Sequence, residues 1–296
     1  MAGLQPDELP LMSSQSVADT ADVAHGTLRG ESRRHAGREA HRALAGGAVQ
    51  VTVLGVPFRP LSAAALLAWM DSCIAEHRGA YVCAVNASSV VQCSSDPRFL
   101  QALKEADVNL PDGAPVAWAV SQLARRRQPR LAGPSVMLMM LGRAQARGYR
   151  VLLYGSTDQV VGLLQKKLEA RYPGLAIVDA ISPPFRPLTD SEDAELCDRI
   201  RRARPDIVFV GLGAPRQEMW MRAHRDALDA VLVGVGAAFD FHAGVVRRAP
   251  PLMQRLGLEW LYRLLQEPRR LWKRYATTLP VFVWRVSRQL ASERIK

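Results

Sequence analysis

The sequence lacks several features that would each define a class of function. Its four cysteines form no C-x-x-C pair, and no histidine lies near them at metal-ligand spacing, so neither a disulfide scaffold nor a zinc module is indicated. A reduced, cytosolic chain is expected. No uninterrupted apolar run approaches the ~18 residues of a membrane-spanning helix. Any membrane contact is therefore expected to be peripheral.

Three common ligand-binding motifs are also missing. Gly211-Leu-Gly213 and Gly234-Val-Gly236 each begin a dinucleotide fingerprint, but the third glycine position is occupied by Arg216 and Phe239 respectively. No G-x-x-x-x-G-K-[ST] loop occurs, and no Asp-x-Asp pair is present to bridge a metal ion and a diphosphate. These absences disfavour a nicotinamide enzyme, a P-loop NTPase and an Asp-x-Asp metal-dependent transferase.

Positive charge is abundant and unevenly placed. The 296 residues carry 39 Lys and Arg against 28 Asp and Glu, a net charge of +11, which favours anionic partners. Residues 255–296 hold ten bases and three acids interleaved with aromatics, in a helical pattern that Pro268 and Pro280 are expected to interrupt. That pattern is typical of helices in a lipid interface, and also of a terminal helical pair packed on the domain with a solvated basic face.

Beyond residues 1–47, which we predict to be a flexible tail, short β-branched runs alternate with helical patterns. The predicted strands are Val49–Leu54, Tyr81–Val85, Asp107–Leu110, Arg150–Tyr154, Ala176–Ala180, Asp206–Val210 and Ala230–Val235. The alternation predicts an α/β fold: a Rossmann-like, mostly parallel sheet flanked by helices over residues 48–254, followed by a basic helical appendage, residues 255–296. Ligands of such sheets bind beyond the carboxyl ends of the strands.

Four side chains near those strand ends have both a structural and a chemical interpretation. Asp112, within a Pro-Asp-Gly sequence, forms either a plain β-turn or a base that takes a proton from a hydroxyl within ~3 Å. Asn86 is either a helix cap or a substrate ligand. Glu218 suits the first turn of a helix. Gln217 has no evident structural role, and its amide can read a uracil or sugar edge.

Several strand-end glycines and basic residues are similarly open. Gly155, Gly211 and Gly213 indicate either tight turns or close approach to a phosphate. Basic residues of the appendage fall at spacings of seven and three, which would place them on one face of a nearly straight helix, where they could hold a diphosphate without a metal. These bases are Arg263, Arg270 and Lys273. Asp240 and His242 could ligate a metal, but a satisfied turn is the expected outcome.

The most specific segments, taken in order, resemble one family. They are Ala106–Gly113, Arg130–Ser135, Gly211–Glu218, Gly234–Asp240, Arg248–Pro250, Gly257–Arg263, Glu267–Arg270 and Lys273–Tyr275. Over about residues 49–275 the chain resembles the bacterial WecG/TagA/CpsF glycosyltransferases. The resemblance implies a Rossmann-like catalytic domain whose site is completed at the membrane by the appendage. It also implies an inverting, metal-independent enzyme without cofactor, which makes cell-surface polysaccharides such as teichoic acid linkage units or exopolysaccharide.

The resemblance further implies the substrates and the role of each residue. A sugar of N-acetylmannosamine, mannosaminuronic acid or glucose type would pass from a UDP donor to a polyprenyl-diphosphate-linked saccharide at the inner face of the plasma membrane. Asp112 would be the general base, and Asn86 would line the sugar and acceptor region. Arg130 would line the acceptor region, Gln217 would contact the donor, and the three appendage bases would meet the diphosphate. The other expected ligand-binding residues are Gly133, Gly155, Gly211, Gly213, Glu218, Phe239 and Asp240.

No nucleic-acid partner is expected, and the sequence leaves open whether copies of the chain form a homo-oligomer. The competing hypothesis is a non-catalytic α/β module that binds UDP or a polyanion. It would require a basic stripe across the fold, whereas the appendage alone carries +7 of the net +11.

Overall fold

The computed structural model describes residues 49–294, so the predicted tail at residues 1–47 lies outside the described residues. The side chains of Arg255, Arg270 and Arg294 lie outside them as well. The strands of the described range are β1 (Val51–Val53), β2 (Val56–Phe58), β3 (Ala80–Val85), β4 (Val108–Pro111), β5 (Arg150–Gly155), β6 (Ala176–Ile181), β7 (Ile207–Gly211) and β8 (Val231–Gly234). Its helices are α1 (Ala63–Ala75), α2 (Ala87–Gln92), α3 (Pro97–Lys104), α4 (Ala114–Leu123), α5 (Gly133–Arg147), α6 (Asp158–Arg171), α7 (Asp190–Ala203), α8 (Arg216–His224), α9 (Ala238–Ala243), α10 (Pro251–Arg255), α11 (Glu259–Gln266) and α12 (Pro268–Arg294).

Six strands form one parallel sheet in the order β4-β3-β8-β7-β5-β6, which confirms the predicted α/β architecture. Numbered by their appearance in the chain, these strands run 2-1-6-5-3-4, whereas the classical dinucleotide-binding order is 3-2-1-4-5-6. Because every strand is parallel, all six carboxyl ends meet at one edge of the sheet. The loops that follow them gather the residues singled out from the sequence.

Alternate residues of each strand face two separate cores. On β5, Val151 and Leu153 pack with α1, α5, α6 and α9, whereas Leu152 and Tyr154 pack with helices of the opposite layer. Both sets are almost completely buried. Strands buried on both faces account for the near-continuous apolar runs that mark them in the sequence.

One element was not predicted: the first strand run folds as an antiparallel hairpin, with β1 paired to β2. Leu54 and Gly55 form its two-residue turn with φ of +49° and +93°, the conformation that tight hairpins require. Gln289 of α12 holds this hairpin, accepting from the Leu54 N–H at 3.0 Å and donating to the Thr52 carbonyl at 2.6 Å.

The predicted helix interruption at Pro268 is confirmed, but the one at Pro280 is wrong. Pro268 is the first residue of α12, a position where a missing N–H costs nothing. Pro280 lies inside α12, and the helix continues to Arg294. Buried Phe282 and Val286 anchor the turns that follow it. Tertiary packing therefore offsets the lost hydrogen bond.

Within residues 49–294, no helix combines the length and the apolar character needed to cross a bilayer.

Candidate active site

Asp112 follows β4 and is fixed by two neighbouring elements. Its backbone N–H donates to the Val85 carbonyl of β3 at 3.0 Å, and its Oδ1 accepts from the Gly133 N–H at 2.8 Å. Gly133 begins α5, which has no side-chain cap of its own, so the carboxylate satisfies an otherwise orphaned donor. Among the described side chains and backbone, nothing donates to the second oxygen, Oδ2. The Pro-Asp-Gly sequence is thus a strand-to-helix connection, with Asp112 at the ligand edge.

Burial and neighbouring groups act in opposite directions on the pKa of Asp112. Burial raises the pKa of Asp112 above its ordinary value, although the Gly133 hydrogen bond and the positive charge of Arg130 lower it. Glu259 raises this pKa further, and Arg263 lowers it. The three charged side chains therefore lie close to Asp112, and none of them belongs to β4, the strand that Asp112 follows.

Asn86 caps α2, directly after β3. Its Oδ1 accepts from the Ser89 N–H at 3.1 Å, so the structural interpretation of this residue is confirmed. The side chain also borders the Asp112 loop, because a Cβ built on Gly113 would lie 3.8 Å from the Asn86 Cβ. The Nδ2 amide donates to none of the described residues. Asn86 thus combines a cap with an unused donor pair beside Asp112.

Glu259, on α11 of the appendage, forms ion pairs with two arginines that precede the appendage in the chain. Its Oε2 lies 2.8 Å from Arg130 Nη2, and its Oε1 lies 3.0 Å from Arg248 Nε. Arg248 also donates to Ser135 Oγ at 2.9 Å. All three charged side chains are at most 20% exposed, so these ion pairs are screened less than surface pairs. The network holds Arg130 beside Asp112.

The appendage bases do not share one helix. The helical segment is interrupted at Glu267, between α11 and α12. The premise of one nearly straight helix through Arg263 and Lys273 is therefore wrong. Arg263 reaches the core, where its guanidinium lies 5.2 Å from the centroid of the Phe241 ring and influences Asp112. Lys273 is exposed, with its Nζ 5.9 Å from the Trp272 ring. The Arg270 side chain lies outside the described residues.

Close packing accounts for two of the strand-end glycines. A Cβ on Gly155 would lie 2.5 Å from the Gly211 carbonyl carbon, and a Cβ on Gly211 would lie 2.9 Å from the Phe239 ring. Gly213 differs, because a Cβ there would meet open space while its φ of +76° favours glycine. Of these three glycines, only Gly213 has room for a side chain, and its backbone conformation is what favours glycine there.

Gln217 has a structural role that the sequence did not reveal. Its Oε1 accepts from the Gly236 N–H after β8 at 3.1 Å, and its Nε2 donates to Glu218 Oε1 at 2.8 Å. Both side chains are almost fully buried. The Glu218 Oε2 has no hydrogen-bond partner in the described part of the chain. Burial raises the pKa of Glu218 to about 7, although the Gln217 amide lowers it.

Comparison with known proteins identifies the family of this chain. Residues 51–296 match the glycosyl transferase WecG/TagA/CpsF family. The chain belongs to this family. The match covers most of the chain and extends past Tyr275, where the resemblance of the sequence motifs ends. The chain is therefore a glycosyltransferase of polysaccharide biosynthesis, which disfavours the non-catalytic module.

Two relatives of the transferase carry the same specific name, N-acetylglucosaminyldiphosphoundecaprenol N-acetyl-beta-D-mannosaminyltransferase. The protein from Bacillus spizizenii strain W23 is 32% identical over 209 residues, which covers 70% of this chain and 79% of the relative. The protein from Staphylococcus aureus strain MW2 is 29% identical over 219 residues, which covers 73% of this chain and 82% of the relative.

Phe239, Asp240 and His242 of the transferase are integrated into the fold. Phe239 is 1% exposed and packs in the core against Gly211. Its ring therefore fills the space beside the end of β7. The Asp240 carbonyl accepts the Val245 N–H at 3.0 Å. His242 Nε2 lies 2.9 Å from the Pro134 carbonyl, and burial lowers the pKa of His242. The expected turn is instead the helix α9 (Ala238–Ala243), in which the Pro134 carbonyl satisfies the His242 ring.

Substituting Glu218→Gln should remove a pH dependence from the stability of the transferase. Below pH 4.5 the carboxyl is protonated in both folded and unfolded chains and contributes no difference. Between pH 4.5 and 7 the unfolded chain releases the proton and the folded chain keeps it, so stability falls as the pH rises. Urea unfolding at pH 5 and 8 should show the wild type losing about 2 to 3 kcal/mol more than the variant.

The matched control is Glu195→Gln, which removes an exposed carboxyl from α7. It should retain the pH dependence of the wild type. Parallel stability curves for Glu218→Gln and the wild type would contradict a buried, unpaired Glu218.

The sequence interpretation missed two sets of residues. Glu259 and Arg248 lie in segments that carried the family resemblance, yet nothing in their local pattern indicates that they pair with Arg130. Asp193, Cys197 and His224 converge, although the sequence pattern around the cysteines predicts no metal site. Their ligand atoms lie within 4.8 Å of one another. The four cysteines are free and buried, so the absence of disulfides among them is confirmed.

Proposed function

We propose that the transferase moves N-acetylmannosamine from UDP to an N-acetylglucosamine attached to polyprenyl diphosphate, with inversion at the anomeric carbon. The names of the two relatives support this acceptor and this sugar. The UDP carrier rests on the family resemblance and on the chemistry of the sheet edge, where ligands of open α/β sheets bind.

The observation that carries the proposal is the setting of Asp112. One oxygen is held by the Gly133 N–H, and the other accepts nothing from the described residues. An acceptor hydroxyl within hydrogen-bond reach of Oδ2 can transfer its proton there while its oxygen attacks the anomeric carbon. The bond between that carbon and the UDP oxygen breaks on the opposite face, which inverts the configuration. The Asn86 amide can donate to a hydroxyl of either sugar.

Departing UDP carries negative charge that the site must stabilise. Arg130, Arg248 and Arg263 supply three guanidinium groups to this region, against the carboxylates of Asp112 and Glu259. Guanidinium groups bind diphosphate oxygens by paired hydrogen bonds. A cationic site of this kind can replace the divalent cation that other nucleotide-sugar enzymes use. Lys273 and Arg270 are proposed to complete it when the acceptor is bound.

The proposed function is tested with the purified full chain, a panel of UDP-sugars and a short-chain prenyl-diphosphate N-acetylglucosamine. Mass spectrometry should detect a product heavier by one N-acetylhexosamine with UDP-N-acetylmannosamine, at a rate that added Mg²⁺ or Mn²⁺ does not change. UDP binding without transfer from any donor in the panel would favour the non-catalytic alternative. Transfer of a different sugar would keep the mechanism and correct the donor.

We infer that the transferase attaches peripherally to the inner face of the membrane through its carboxy-terminal segment. Six large apolar side chains of residues 252–284 are at least half exposed: Leu252, Leu256, Leu265, Trp272, Val283 and Trp284. Bases accompany the two tryptophans, with Arg288 Cζ 4.9 Å from the Trp284 ring and Lys273 beside Trp272. Exposed tryptophan flanked by positive charge is typical of the interface of anionic lipids.

Replacing Trp272 and Trp284 together by Ala should weaken vesicle binding by about tenfold or more, because both rings lose apolar contact with the interface. Co-sedimentation with phosphatidylglycerol vesicles measures it, and phosphatidylcholine vesicles should bind the wild type less. Phe185→Ala, which removes an exposed aromatic ring from the loop after β6, is the matched control. Equal binding of all three proteins would contradict this membrane contact.

A further inference from the structure

A second cluster of chemically capable side chains lies away from Asp112. Asp193 and Cys197 stand four residues apart on α7, which places them on one face of that helix. His224, the last residue of α8, faces them, and the three ligand atoms lie within 4.8 Å of one another. Cys197 and His224 are buried, whereas the Asp193 side chain is 39% exposed. Solvent ions can therefore reach the cluster from the Asp193 side.

Hydrogen bonding fixes the orientation of the His224 ring. Its Nδ1 lies 2.7 Å from the Trp220 carbonyl, and because a carbonyl only accepts, Nδ1 carries the proton. Its Nε2 lies 2.9 Å from Asp193 Oδ2. With the proton on Nδ1, the Nε2 lone pair faces that carboxylate, and a cation between them, either a shared proton or a metal ion, would stabilise the contact. Metal-binding histidines characteristically donate their other ring N–H to a carbonyl in this way.

Cys197 distinguishes between these two cations. A proton shared by His224 and Asp193 needs no third ligand, yet the Cys197 sulfur lies within 4.8 Å of both. A divalent cation would displace the thiol proton to solvent and make the sulfur a ligand.

We propose that Asp193, Cys197 and His224 form a zinc site that joins α7 to α8. One oxygen, one sulfur and one nitrogen ligand suit the borderline-soft Zn²⁺, and a water molecule would complete the tetrahedron. Tetrahedral zinc needs ligand atoms about 3.3 to 3.6 Å apart, which small side-chain rotations can reach from the present spacing.

The site is separate from the reacting centre and has a structural role. Trp220 stacks on His224 with ring centroids 4.4 Å apart and also contacts Tyr154 of β5, at 4.6 Å. In the sheet order, β5 is four strands from β4, which carries Asp112, a separation of about 19 Å at the usual strand spacing. The ion would fasten the end of α8, whose first turn holds the Gln217 and Glu218 pair.

The test measures zinc binding by the tag-free full chain and does not depend on activity. Titration against a chromogenic chelator should show one Zn²⁺ per chain that is bound at least tenfold more weakly by Cys197→Ala and by Asp193→Asn. Co²⁺ should give the visible spectrum of a tetrahedral thiolate complex in the wild type but not in Cys197→Ala. The other histidines are common to all variants, so their weak binding cancels in the comparison.

Asp198→Asn is the matched control, because it neutralises an exposed carboxylate one residue after Cys197. It should bind zinc like the wild type. Equal zinc affinity of the wild type and Cys197→Ala would overturn the proposal and leave the His224–Asp193 contact as an ion pair. If Cys197→Ala fails to fold, Asp193→Asn decides alone, because Asp193 is half-exposed and its substitution leaves no buried cavity.

Discussion

Asp112→Asn should lower the rate of sugar transfer by about 10² to 10⁴ and leave the fold intact. The asparagine side chain retains an oxygen that can accept from the Gly133 N–H, so the start of α5 stays anchored. It has no carboxylate to take a proton from the acceptor hydroxyl. The measurement is the initial rate of product formation with saturating donor and acceptor, alongside thermal unfolding.

Asp229→Asn is the matched control, since this exposed carboxylate precedes β8 at the opposite edge of the sheet. It should retain the full transfer rate. A rate for Asp112→Asn within a few-fold of the wild type would remove Asp112 from the role of base.

The pH dependence of the rate provides a further check on the same residue. A base must be ionised, and burial raises the pKa of Asp112, so the rate should rise with pH at values above the ordinary range of an aspartate. Burial raises the pKa of Glu218 to about 7, so ionisation of Glu218 could produce a similar rise of the rate with pH. If ionisation of Asp112 causes the rise of the rate with pH, the rise should persist in Glu218→Gln.

Phe282→Ala should destabilise the protein by about 3 to 5 kcal/mol, the usual cost of emptying a buried phenylalanine site. Phe282 of α12 is 1% exposed and packs in the same core as Val85 and Val90. Urea or thermal unfolding of the full chain measures the loss. The result would establish that the carboxy-terminal segment is part of the core.

Val283→Ala is a control on the adjacent residue, whose side chain is 55% exposed. It should change stability by about 0.5 kcal/mol or less. Similar losses for both variants would contradict the packing of α12. Deleting residues 255–296 is a poor test of their role in catalysis, because it would remove Leu271, Phe282 and Val286 from the core. The division between residues 48–254 and 255–296 stays a prediction.

The α/β fold was predictable because its signal is local. Strands buried on both faces must be apolar along their whole length, and β5 and β7 appear in the sequence as such runs. The hairpin was missed because β1 and β2 have three residues each, too few to show alternation. The continuation of α12 through Pro280 was missed because it depends on the burial of Phe282, which is a contact between distant parts of the chain.

The candidate site divides in the same way. Asp112 and Asn86 were found because each directly follows a strand, and parallel strands bring their carboxyl ends together. The local sequence indicates no structural role for Gln217, because the Gly236 N–H that it binds lies 19 residues away. For the same reason, local sequence patterns could not predict the pairing of Glu259 with Arg130, which are 129 residues apart.

By itself, the sequence determined the layered α/β fold, the family and the strand ends at which its polar residues gather, because these follow from periodicity and short motifs. Only the tertiary structure decided which charges surround Asp112, that α12 belongs to the core, and that Asp193, Cys197 and His224 meet. Each of those outcomes depends on distances between residues far apart in the chain. Such distances are set by how whole helices pack on the sheet, and no local pattern encodes them.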